Sequence, residues 1–176
     1  MKSLFVSILT LVFFNSSFSQ NQISYSKVIQ IDDSSSTINL YSNIKTWIAL
    51  NYVSAQNVIQ MDDENSGILV LKALFDYVSP KYPKHYSGVI NYTLKIQVRE
   101  NRYRVELSDF IHTSEMGGEN SFGLITDKNR TSFRFGLQKA ELQINEDIRD
   151  VTKLHAERLM NSLENGIKAI IENDNW

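Results

Sequence analysis

The chain of 176 residues contains no cysteine. That excludes a disulfide framework, an iron–sulfur cluster, a thiol nucleophile and a lipid attached through sulfur. Its two prolines, Pro80 and Pro83, both fall in SPKYPKHYSG, so they mark one loop and not a proline-rich linker between domains. A basic excess is also missing, because 18 Lys plus Arg stand against 20 Asp plus Glu. Nucleic-acid binding draws much of its affinity from neutralising phosphates, and this balance argues against it.

What is present begins with a leader pattern. Lys2 precedes an apolar run from Leu4 to Phe14, and small polar residues follow around Ser17 and Ser19. The run is shorter than the roughly 20 residues needed to span a bilayer, so it reads as a secretory leader cut after Ser19, with no membrane anchor left behind. Residues 1 to 19 are the expected leader and residues 20 to 176 a single domain with room for its own core. Export without disulfides suits a bacterial periplasm or the medium outside the cell.

Period decides the elements. Residues 24 to 31, SYSKVIQI, read as a first strand through Tyr25, Val28, Ile29 and Ile31. Cap-type residues from Asp32 to Ser36 then introduce an amphipathic helix over 37 to 53, with Leu40, Tyr41, Ile44, Trp47 and Ile48 at steps of three and four. A short strand at 57 to 61 leads through DDENSG, a polar turn closed by Gly67, into a third strand at 68 to 78. That strand is apolar on both faces at its start, so cover on both sides is expected there.

The fourth strand alternates through Ile90, Tyr92, Leu94, Ile96 and Val98, and the fifth through Tyr103, Val105 and Leu107. Setting Val98 opposite Tyr103 places every apolar side chain on one face, whereas a slip of one residue would set Arg104 against Ile96. The register therefore puts the turn at Glu100-Asn101. From Asn145 the helical period returns through Ile148, Val151, His155, Leu159, Leu163, Ile167 and Ile170, predicting a long helix to about residue 172. The result is an α+β fold, β-α-β4-α. It has a curved antiparallel sheet of five strands in the order 1-5-4-3-2, with both helices on one face.

YSKVI at 25 to 29, the helix containing Trp47, the acidic turn ending in Gly67-Ile68, YTLKI at 92 to 96 and RYR at 102 to 104 together resemble a known family. It is an uncharacterised family of exported proteins of Bacteroidota, described as a domain of unknown function with a TATA-box-binding-protein-like (TBP-like) fold. The resemblance covers roughly residues 22 to 112, and the last helix would complete a helix-grip arrangement. It implies fold and export but no activity. The namesake's role on nucleic acid does not travel with the fold.

Candidate chemistry is sparse. His85, His112 and His155 lack the spacing of a metal set. Asp62, Glu64, Ser66 and Gly67 imitate the start of a calcium loop, but the position of its bidentate carboxylate is Ala73. There is no GxSxG elbow and no SxxK, so no catalytic residue, metal or cofactor is assigned, and a non-enzymatic binding module is expected.

Two surfaces remain. Lys95, Arg99, Arg102 and Arg104 form a basic tip on the outer face of strands four and five, where an acidic protein, an anionic glycan or a phosphate headgroup could bind; alternatively this is an ordinary wet face. Val70 and Leu74 on the third strand, with Met116, Phe122 and Leu124 in the glycine-rich segment 113 to 133, form an apolar set without evident strand partners. They could line a cavity for a small apolar ligand, with the long helix gripping the sheet, or meet a protein partner; alternatively the loop folds over and buries them.

Overall fold

A computed structural model describes residues 21–31, 37–130 and 136–173. The expected leader, the cap residues Asp32 to Ser36 and positions 131 to 133 of the long loop lie outside the described residues. Strand β1 (Tyr25–Gln30) is followed by helix α1 (Thr37–Asn51), the single turn α2 (Ala55–Val58) and the strands β2 (Ile59–Asp63) and β3 (Ile68–Tyr77). After a second single turn, α3 (Pro83–Tyr86), come β4 (Gly88–Arg99), β5 (Arg102–Ser114), the two-residue β6 (Gly123–Leu124) and helix α4 (Gln138–Asn173).

The sheet is antiparallel in the order β1-β5-β4-β3-β2, as the sequence predicts, and β6 adds to β5 beyond the end of β1. Val98 lies opposite Tyr103, Ile96 opposite Val105 and Leu94 opposite Leu107, which is the register that alternation demands. Asn101 closes the hairpin with a φ of 57°, a left-handed conformation that asparagine tolerates. At the β2–β3 turn Gly67 has a φ of 65°, and a Cβ there would stand 2.7 Å from the Val98 carbonyl oxygen, so glycine is required twice over.

One irregularity reorganises β5. Thr93 faces Ser108 and Asn91 faces Ile111, so Asp109 and Phe110 together oppose Tyr92 alone. This β-bulge reverses the parity of the strand. Before it Tyr103, Val105 and Leu107 point to the helices; after it Phe110 and His112 do so, and Ile111 turns outward. Asp109 has a φ of 54°, and its carboxylate accepts a hydrogen bond of 2.5 Å from Gln22.

The core lies between the inner sheet face and the two long helices. Leu40, Ile44 and Ile48 of α1 and Ile148, Leu163 and Ile167 of α4 meet Leu94, Ile96, Val105 and Leu107 at almost no exposure. Each such side chain contributes roughly 1.5–3 kcal/mol relative to exposure. Helix α4 has 36 residues, about 54 Å at 1.5 Å per residue, and starts seven positions before the expected Asn145. Ala140 and Ile144 extend its buried stripe in that direction, which also passes through Thr152, Ala156 and Met160. Val151, His155 and Leu159 flank that line, because small side chains occupy the closest approach to the sheet.

Other departures are local. The segment Ala55–Val58 closes a helical turn, with the Val58 amide donating to the Ser54 carbonyl at 3.3 Å, which moves β2 two residues later than expected. Asp62 therefore sits in a strand and not in a free turn. It accepts hydrogen bonds from Lys45 at 2.7 Å and Tyr41 at 2.8 Å, and these hold its carboxyl below the usual range. At the start of β3 the outer face is partly covered, Ile68 and Val70 being half-buried, whereas further along Leu74 is 56% exposed.

Helices α1 and α4 cross where Trp47 lies on Gly166: a Cβ at that glycine would come within 2.3 Å of the indole Cδ1. The glycine weakens an isolated helix by about 1 kcal/mol relative to alanine, yet it makes room for a buried ring. Gly166→Ala is expected to lower unfolding free energy by about 1–3 kcal/mol through overpacking. Urea denaturation measures this, and a more stable variant would mean that Trp47 is not seated there.

Candidate functional site

The sheet face opposite the helices is left open among the described residues, and it collects side chains from both surfaces named above. In one row across it, β3 Leu74 faces β4 Asn91, Asn91 faces β5 Ile111, and Ile111 faces β6 Leu124. Leu74, Ile111 and Leu124 are 56%, 41% and 49% exposed. They border a groove of about 860 Å³ whose further wall is formed by Tyr52 and Val53, where α1 gives way to α2. Scattered single apolar side chains are ordinary on a surface, but three that border one groove make this the candidate binding face.

The polar edge of the groove is fixed by the bulge. Asp109 is held below the ordinary carboxylate range first by its bond from Gln22, with Lys72 adding a favourable charge. At the other wall the Tyr52 and Tyr92 hydroxyls lie 3.3 Å apart, and burial raises both pKa values, so the pair stays neutral.

The basic tip lies at the far end of the same face. Eight residues of β4 separate Asn91 from Arg99, about 26 Å at 3.3 Å per residue. Arg99 faces Arg102, Gln97 faces Arg104 and Lys95 faces Glu106. Arg104 approaches the Glu106 carboxylate at 3.6 Å, and no salt bridge to Lys95, Arg99 or Arg102 occurs among the described residues. With Val28 and Tyr103 the three arginines line a shallow depression of about 300 Å³.

The expected apolar set divides. Leu74 and Leu124 meet in the groove. Val70 is half-buried on the same face. Met116 is 60% exposed but does not border the groove. Phe122 belongs to the core, 8% exposed and packed against Tyr86 and His112, so it is unavailable to an outer ligand. Leu124 does have a strand partner, and a two-residue strand is too short to show alternation. Sequence reasoning missed Ile111. The signal was the adjacent pair Phe110-Ile111 after an aspartate, which breaks a period of two.

The model of a family described as "Domain of unknown function (DUF4468) with TBP-like fold" matches residues 25–113. The chain belongs to that family. No curated protein matches the sequence. Among solved structures, a TBP-like protein from Parabacteroides distasonis superposes with a TM-score of 0.61 at 17% identity, covering 84% of this chain and 93% of the other. A DUF4468 family protein from Bacteroides ovatus gives a TM-score of 0.48 at 17% identity, covering 81% and 86%. The first likeness establishes a TBP-like fold in agreement with the strand order.

Two histidines of this DUF4468 chain are structural. His112, fully buried in β5, bonds the Tyr86 carbonyl through Nε2 at 2.9 Å, while its Nδ1 accepts the Phe122 amide at 3.1 Å. An acceptor at Nδ1 requires the neutral ring. His155 stacks on Phe75 with centroids 3.9 Å apart, and its Nε2 has no partner among the described residues. Burial lowers both pKa values, and Arg158 adds to the effect at His155.

A base whose folded pKa lies below its unfolded value is bound by more protons in the unfolded chain. Stability is then complete above the ordinary histidine value of 6.5 and is lost as pH falls from there toward the depressed folded values. The melting temperature should fall between pH 7.5 and pH 5, and His155→Phe, which keeps the stack, should flatten that slope. A slope unchanged by the substitution would remove His155 as a cause.

Proposed function

We propose that this protein is an exported, non-enzymatic interaction module that receives a partner protein along its open sheet face. Apolar side chains of the partner fill the groove at Leu74, Ile111 and Leu124. An acidic stretch meets Lys95, Arg99, Arg102 and Arg104. The observation that carries this reading is that both sets project from one face left clear by α1 and α4, about 26 Å apart by the rise of β4. An apolar anchor supplies affinity and a basic rim steers approach, the usual division of labour at an interface.

The leader pattern before Gln20 supports export. No helix of the described residues is long and apolar enough to cross a membrane. A small ligand gripped between α4 and the sheet fits less well, because that space is filled by Leu94, Ile96, Leu107, Leu163 and Ile167.

The test uses two variants, one with Arg99, Arg102 and Arg104 changed to Glu and one with Leu74 and Ile111 changed to Glu. Both change exposed positions, so each should melt within a few degrees of the parent. Cross-linking in the envelope of the native host should capture one partner with the parent and lose it at least tenfold with either variant. A partner retained by both variants would refute the assignment to this face.

A further inference from the structure

We infer a second binding site, for the anionic group of a small organic acid, between the start of α4 and the segment after β6. It stands independently of the outer-face reading, although Leu124 borders both cavities. This pocket holds about 490 Å³. Its floor is apolar, built from Phe122, Ile125 and Ile148, which are 8%, 5% and 1% exposed. Its rim is cationic: Lys128, Arg130 and Arg149 line it, and no carboxylate does so among the described residues.

The rim is held in place by bonds that leave donors to spare. Buried Asn145 accepts the Arg130 amide at 3.2 Å and donates to the Arg130 and Glu141 carbonyls, each at 2.7 Å, which fastens the loop to the helix. The Arg130 guanidinium donates from Nη1 to the carbonyls of Ser121 at 3.2 Å and Phe122 at 2.7 Å. Arg149 donates from Nη2 to the Asn129 side-chain oxygen at 2.7 Å. A guanidinium has five N–H donors, so each arginine keeps others for an oxyanion. Glu146 and Asp150 are neighbours of Arg149 along α4 but do not line the cavity.

An apolar floor with fixed cations at the rim suits a ligand that is charged at one end only. Inorganic phosphate would meet the rim alone and leave the volume above Phe122, Ile125 and Ile148 to water, and a neutral alcohol would leave the spare guanidinium donors without a charge to meet. A short-chain or medium-chain carboxylate meets both. Both rim arginines are already held by hydrogen bonds, which reduces the entropy lost on binding.

Calorimetry on the purified protein with octanoate, octanol and inorganic phosphate tests this. The expected result is saturable octanoate binding at one site, with octanol and phosphate at least tenfold weaker. Arg149→Gln should weaken octanoate about tenfold at an unchanged melting temperature, as loss of a charged hydrogen bond implies. Leu74→Glu, on the outer face, should leave it unchanged. If Arg149→Gln fails to fold, Arg149→Met, which keeps the aliphatic stem, carries the same test. Absence of saturable octanoate binding, equal binding of octanol or phosphate, or indifference to the rim variant would overturn the assignment. Sensitivity to Leu74→Glu alone would place the acid in the outer groove instead.

Discussion

The β-bulge at Asp109 is the constraint on which the rest of this structure depends. A strand of 13 residues keeps one face toward the helices only while its alternation is unbroken. Setting Asp109 and Phe110 opposite Tyr92 reverses that alternation partway along. This bulge uses a left-handed residue at Asp109, and an aspartate bonded by Gln22 from the segment before β1 and by Ser108 beside it adopts that conformation at little strain.

Both proposed sites follow from this reversal. His112 turns inward and ties the Phe122 amide to β5, while Ile111 turns outward and pairs with Leu124 of β6. The segment from Gly118 to Arg130 is thereby hung on the second half of β5, where its inner residues floor the cationic pocket and its outer residue borders the groove. Asn145 closes the arrangement from the helix side. The first half of β5 is unaffected. It pairs with β1, and Lys27 of β1 reaches Glu164 of α4 at 2.6 Å, so the basic end of the sheet is braced separately.

Much of the fold was legible in the sequence because alternation was strong where strands were long. The pairing of Leu94, Ile96 and Val98 with Leu107, Val105 and Tyr103 needed only the rule that apolar side chains share a face, and strand order followed from short hairpins. Alternation could not reveal β6, which has two residues, or the true centre of α4. There Thr152 and Ala156 are buried by proximity to the sheet, while the larger neighbours at 151 and 155 carry the helical period. The basic tip was legible as a set because it lies within one hairpin. The groove was only half legible: Leu74 and Leu124 stood out by character, but Ile111 lies beyond the bulge, and Phe122 faces the core from a segment whose direction only tertiary contacts decide. The cationic pocket joins residues from a loop and a helix with no shared period.

The absence of cysteine permits a direct test of the bulge. Single cysteines placed at 110, 111 and 112 can be compared for their rate of modification by a thiol reagent under native conditions, with unfolded chains as the reference. The bulge predicts rapid labelling at 111 and protection at 110 and 112. An unbroken strand would give the reverse, with 110 and 112 reactive and 111 protected, and both the groove and the inward ring of His112 would then be lost from the account.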